Sequence, residues 1–191
     1  MEKEIKFKIL SKQFELSKSL MDRLFSFMEE DSDEEDAAGI SECISSAPKT
    51  EIDDDADTLD LTGEGFLTID GSNVEIIYSE SELTGMDGAT TKIVFNTEEP
   101  QRVTMLRGGS VTTAMVFEPG VRHVCIYETP VMPFELCIHT LKIENRLLKC
   151  GKLYLDYIVE FKGAQAERTK FTLSIEEKQS SIYPLDEYDN V

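Results

Sequence analysis

Residues 3–10, KEIKFKIL, alternate strictly, with Ile5, Phe7 and Ile9 on one face and Lys6 and Lys8 on the other. A period of two predicts a half-buried strand. The period then changes. Phe14, Leu20, Met21, Leu24, Phe25 and Met28 share one helical stripe, which predicts a helix over 12–29 with Ser11 as its N-cap. From Thr58 onward the chain becomes a series of short alternating runs divided by turn residues. LDLTGEGFLTI leads into Asp70-Gly71, a tight-hairpin signal, and VEIIYSESEL (74–83) is its partner. ATTKIVFN (89–96), RVTMLR (102–107) and VTTAMVF (111–117) follow, punctuated by Pro100, Gly108-Gly109 and Pro119-Gly120. Residues 122–143 read as a hairpin, and LYLDYIVEF (153–161) and TKFTLSI (169–175) complete the series.

About ten strands joined by short turns, with no βαβ spacing, predict an all-β fold. An antiparallel up-and-down sheet of that length removes its edges by curling into a closed barrel. Barrels of about eight strands either fill their interior or hold one small ligand. The expected organisation is one barrel domain over 1–178. It carries an insertion at 12–56 (helix 12–29, acidic loop 29–57) and a polar C-terminal tail at 179–191.

Charge changes the picture in one place. The chain has 191 residues and a net charge of −19. Residues 29–60 hold fourteen acids against the single base Lys49, so most of that charge belongs to one segment. Like charges and few apolar residues predict a solvated acidic loop. Such a field argues against nucleic-acid binding, because phosphate is repelled. The start lacks the uninterrupted apolar core of a signal peptide, and no apolar run reaches the roughly 20 residues of a membrane span. Cys43, Cys125, Cys137 and Cys150 form no C-x-x-C pair. A cytoplasmic protein with free thiols is the expectation.

Three constellations could carry chemistry. Asp53, Asp55, Asp57 and Glu64 match positions of a calcium-loop spacing, but Thr58 stands where that loop needs glycine, so an acidic linker is the plainer reading. If the 122–143 hairpin turns about Val131, Val124 faces Ile138 and Ile126 faces Leu136 on an apolar side. The other side then pairs Cys125 with Cys137 and His123 with His139, a thiolate and imidazole set that tetrahedral zinc accepts. The alternative is two thiols flanked by surface histidines, with no cofactor. A one-residue change of register abolishes the coincidence. Glu80, Arg107, Glu128, Thr129 and Tyr157 are polar residues in strands. If they point inward, an ion pair around Arg107 either anchors a ligand or closes the barrel base. No G-x-S-x-G, P-loop or H-E-x-x-H motif is present, so an enzyme on this scaffold ranks third among the readings.

The runs Tyr78-x-Glu80-x-Glu82-Leu83-x-Gly85, Leu106-Arg107-x-Gly109 and Tyr127–Pro130 resemble the YwiB-like calycin-type barrels. These are small bacterial proteins of unknown function, related in fold to lipocalins and fatty-acid-binding proteins. The resemblance covers the first strand and residues 57–178. It implies a closed antiparallel barrel and no established activity. Residues 12–56 depart from the family's short first connection, and Val131-Met132-Pro133 stands where a glycine is expected. In fatty-acid-binding proteins a helical lid occupies the same place as residues 12–29. The first functional reading is therefore a non-enzymatic binder of a small, partly apolar ligand. The second is an interaction module that docks a basic partner through helix 12–29 and the acidic insert.

Overall fold

The structure, a computed structural model, describes residues 1–16, 56–161 and 165–176. Ten antiparallel strands follow one another around a closed barrel. They are β1 (Glu2–Glu15), β2 (Asp57–Asp70), β3 (Asn73–Ser79), β4 (Thr90–Asn96) and β5 (Val103–Gly108), then β6 (Thr112–Phe117), β7 (Arg122–Glu128), β8 (Pro133–Arg146), β9 (Lys152–Phe161) and β10 (Gln165–Glu176). The first strand closes the barrel by pairing with β2 on one side and β10 on the other. Closure leaves no sheet edge to solvent. No helix among the described residues is long and apolar enough to cross a membrane.

Alternation fills one half of the interior. Val74, Phe95, Val103 and Phe117 are successive partners across β3–β6, and all are buried. Ile76, Ile93, Met105 and Met115 form the next buried rung. Leu153, Leu155, Phe171 and Leu173 face them from β9 and β10 within the same core. Burying an aliphatic or aromatic side chain of this size contributes about 1.5–3 kcal/mol, so this half holds the barrel together.

Three expectations are corrected. The helix predicted from residue 12 does not begin there. Ser11 to Glu15 remain in β1, opposite Phe171 to Glu167 and, through Gln13, opposite Leu59 to Asp57. Ladder bonds on both sides outweigh the helical stripe that Phe14 begins, and Ser11 caps nothing. The rest of that helix, the acidic loop to Asp55 and the tail from Gln179 lie outside the described residues.

The hairpin register is also one residue off the expected one. Glu128 pairs with Pro133, Cys125 with Leu136 and His123 with Ile138. Four residues, Thr129 to Met132, form the turn. The Thr129 hydroxyl donates to the Met132 carbonyl (2.8 Å) and accepts from the Val131 and Met132 amides (3.3 and 3.2 Å). This serine/threonine-type turn needs no glycine. An even-numbered turn shifts every pair by one, so Val124 and Ile126 stand outside, 59% and 49% exposed, and Cys125 and Tyr127 turn inward.

The calcium spacing does not survive either. Asp57 through Glu64 belong to extended β2, where seven steps of about 3.3 Å carry the two carboxylates far apart. Asp53 and Asp55 lie outside the described residues.

Candidate functional site

Above the apolar rungs the inner wall turns polar. Tyr78, Thr91, Arg107, Thr113 and Tyr127 are successive cross-strand partners on β3 to β7. Tyr157 of β9 lies between Thr140 of β8 and Thr169 of β10, and Thr169 is opposite Gln13 of β1. Each belt follows from the same period of two that builds the core, continued one step along every strand. Beyond this level the interior opens into a cavity of about 450 Å³. Ile9, Leu61, Met115, Leu136, Val159 and Phe171 supply its apolar wall, and Glu80, Arg107 and Glu167 are its charged lining. A volume and a lining of this kind suit one small molecule.

Glu80 is buried just past the end of β3, and the Thr91 hydroxyl donates to its Oε1. Arg107 approaches the same carboxylate oxygen, but its Nε remains 3.9 Å away. That distance is an ion pair without a hydrogen bond. Among the described residues the buried Nε–H of Arg107 has no hydrogen-bond partner. Burial pushes the Tyr78 hydroxyl above its ordinary pKa, with the Glu80 charge adding to the effect. Burial does the same to Tyr157. Both phenols therefore stay protonated at neutral pH and present hydroxyl groups to the interior. Aromatic packing fixes them, since Tyr78 lies against Phe7 and Tyr157 against Phe117, each with ring centroids 4.7 Å apart.

The rim is built from the β3–β4 connection, where Leu83, Thr84, Gly85 and Met86 line the cavity. Residues Glu82–Thr84 make a 3-10 turn that ends at Gly85. The Tyr127 hydroxyl reaches Met86 Sδ at 3.7 Å and so ties this turn to β7. At Gly109 (φ +117°) a Cβ would collide with the Gly88 carbonyl, so glycine is what lets the β5–β6 turn close onto the same connection. Glu167 at the mouth titrates above the usual carboxylate range because of its burial, with Glu15 and Asp57 adding to the shift.

Of the residues expected to bind a ligand, Glu80, Arg107 and Tyr157 line the cavity. Glu128 and Thr129 do not. Glu128 is exposed beside the turn, and the Thr129 hydroxyl is committed to it. Tyr78, Tyr127, Thr169 and Gln13 also line it and were not among the expected ligand residues. Tyr78 sits two residues before Glu80 on the same face, which was the available signal.

The Cys/His set is divided by the corrected register. Cys125 belongs to the interior core, near Thr113 (3.9 Å), and burial pushes its thiol up. His123, opposite core residue Ile138, contacts Glu118 at 3.2 Å. Cys137 and His139 occupy the alternate, outer face. There Arg122 reaches Cys137 Sγ (3.3 Å) and Glu160 (3.1 Å), and His139 Nε2 lies 3.3 Å from Glu160. Among the described residues no group of three or more His, Cys, Asp or Glu converges as a metal site.

A family model described as a domain of unknown function, DUF1934, matches residues 44–173. Among solved structures the chain is similar to the crystal structure of the ywiB protein from Bacillus subtilis. The two are 14% identical with a TM-score of 0.55, over 91% of this chain and 94% of that one. At this identity the likeness concerns the fold. No curated protein matches the sequence.

Proposed function

We propose, for a chain that belongs to the DUF1934 family of unknown function, that the barrel is a non-enzymatic binder of one small, partly apolar molecule. The observation that carries this reading is the cavity itself, with an apolar wall and an incompletely satisfied arginine at its polar belt. An ion pair that merely closed a barrel base would be expected to use its hydrogen bonds on itself. Arg107 lines the cavity with its Nε–H unpaired beside Glu80, and Tyr78 and Tyr157 add hydroxyl groups to the same lining. We read the barrel as calycin-like, a closed meander with one filled half and one open half, which is a scaffold suited to small ligands.

Uptake of Nile red, an uncharged apolar dye, tests the reading. The wild-type chain is expected to bind it with a blue-shifted, enhanced emission. Val159→Phe, which adds bulk to the cavity wall, is expected to weaken uptake at least tenfold while the melting temperature stays within a few degrees. No uptake by the wild type, or equal uptake by a folded Val159→Phe variant, would overturn it.

A further inference from the structure

The charges of the cavity go further than its volume and, on the reading above, specify the class of ligand. Among the lining residues there are two acids, Glu80 and Glu167, and one base, Arg107. The Glu80 side chain is 2% exposed and held by Thr91, so it cannot swing away to vacate Arg107. An arginine already neutralised at 3.9 Å offers an incoming carboxylate little net attraction, because the same approach brings it against Glu80. The entrance adds to the penalty. Glu167 is opposite Glu15 across β1 and β10, and Asp57 begins β2 opposite Gln13. An anion at this end of the cavity meets Glu167 in the lining, and the Glu15 and Asp57 charges lie near enough to act on the same carboxyl. Arg107 still has N–H groups to donate, and the Tyr78 and Tyr157 hydroxyls, already bonded to Thr91 and Thr169, keep further hydrogen-bonding capacity.

We infer that this site takes an uncharged, partly apolar ligand whose carbonyl or hydroxyl oxygen accepts a hydrogen bond from Arg107, and that it rejects the corresponding carboxylate. Glu80 is the selectivity element. It balances the arginine so that the donor is used for hydrogen bonding and not for charge recognition. A buried polar group left without its partner is costly, so a neutral acceptor satisfying Arg107 gains affinity over a plain hydrocarbon.

The test displaces Nile red from the full chain at pH 8 with methyl decanoate, decanol and decanoate, which share one alkyl chain and differ in head group. The ester and the alcohol are expected to displace the dye at concentrations about tenfold lower than decanoate, which corresponds to roughly 1.4 kcal/mol. Glu80→Gln keeps the shape and removes the charge, and it is expected to abolish the preference by improving decanoate about tenfold. Equal or tighter displacement by decanoate from the wild type overturns the assignment and needs no variant. An unchanged ester-to-acid ratio in folded Glu80→Gln removes Glu80 as the selectivity element. Failure of the wild type to take up Nile red at all overturns the binding reading itself, which keeps the two failures distinct.

Discussion

Ile138 and Ile126 lie on the same hairpin, and truncating each to alanine separates the observed register from its one-residue alternative. Ile138 is fully buried, whereas Ile126 is 49% exposed. Ile→Ala removes three carbons, about 2.4 kcal/mol of transfer energy at roughly 0.8 kcal/mol per carbon. The cavity left in a packed wall raises the cost at Ile138 to about 3–4 kcal/mol, within the range seen for buried isoleucines. At Ile126 roughly half the side chain is already in water and no cavity forms, so the cost is about 1 kcal/mol. In a domain of this size 1 kcal/mol corresponds to roughly 2–4 °C, so the two variants should melt about 5–10 °C apart. Urea titration followed by far-ultraviolet circular dichroism gives the same comparison as free energies. Equal losses at the two positions would refute the register and return Val124 and Ile126 to the core.

Other consequences follow from the outer face. Arg168 makes a two-pronged contact with buried Asp156 (2.9 and 2.8 Å), so Arg168→Met should cost about 3–5 kcal/mol by removing the counter-charge of a carboxylate that keeps the Tyr154 hydroxyl as a donor. The double variant with Asp156→Asn should recover part of that loss in a double-mutant cycle. Burial holds His139 below its ordinary value of 6.5, against the opposing pull of Glu160. Its folded pKa is the lower one, so its contribution is complete above pH 6.5 and is lost as pH falls towards the folded value. His139→Gln should flatten the fall in melting temperature below pH 6.5, and a slope unchanged by the substitution would remove His139 as its source. In a Cys43→Ser background, exposed Cys150 should react with a thiol reagent at neutral pH well before buried Cys125 and Cys137. Mass mapping of the first labelled site checks the order.

The strands were legible because a period of two persists through nearly every one. Leu153, Leu155, Tyr157, Val159 and Phe161 share the inward face as their alternation predicts, although Asp156, Ile158 and Glu160 on the other face are buried as well. The β7 strand was misleading because both of its faces carry plausible core residues, Val124 and Ile126 on one and Cys125 and Tyr127 on the other. The Thr129 turn decided between them, and the parity of a turn without glycine is a side-chain hydrogen-bonding matter that alternation does not report. Strand β1 hid its last turns for a related reason. Phe14 fits a helical stripe, and two-sided pairing with β2 and β10 is invisible locally. Glu80, Arg107 and Tyr157 stood out as polar residues within strands. The belt of Tyr78, Thr91, Thr113 and Tyr127 did not, because those residues become neighbours through four successive registers.

Whether a ligand enters the barrel is read most directly from methionine methyl resonances. Met115 is buried in the cavity wall and Met86 borders its rim, while Met132 is 52% exposed at the outer hairpin tip. Carbon-13 methyl spectra of the full chain titrated with methyl decanoate should show saturable shifts at Met115 and Met86 with Met132 little changed. Shifts confined to Met132, or none at Met115, would place binding outside the barrel and contradict a ligand held in its interior.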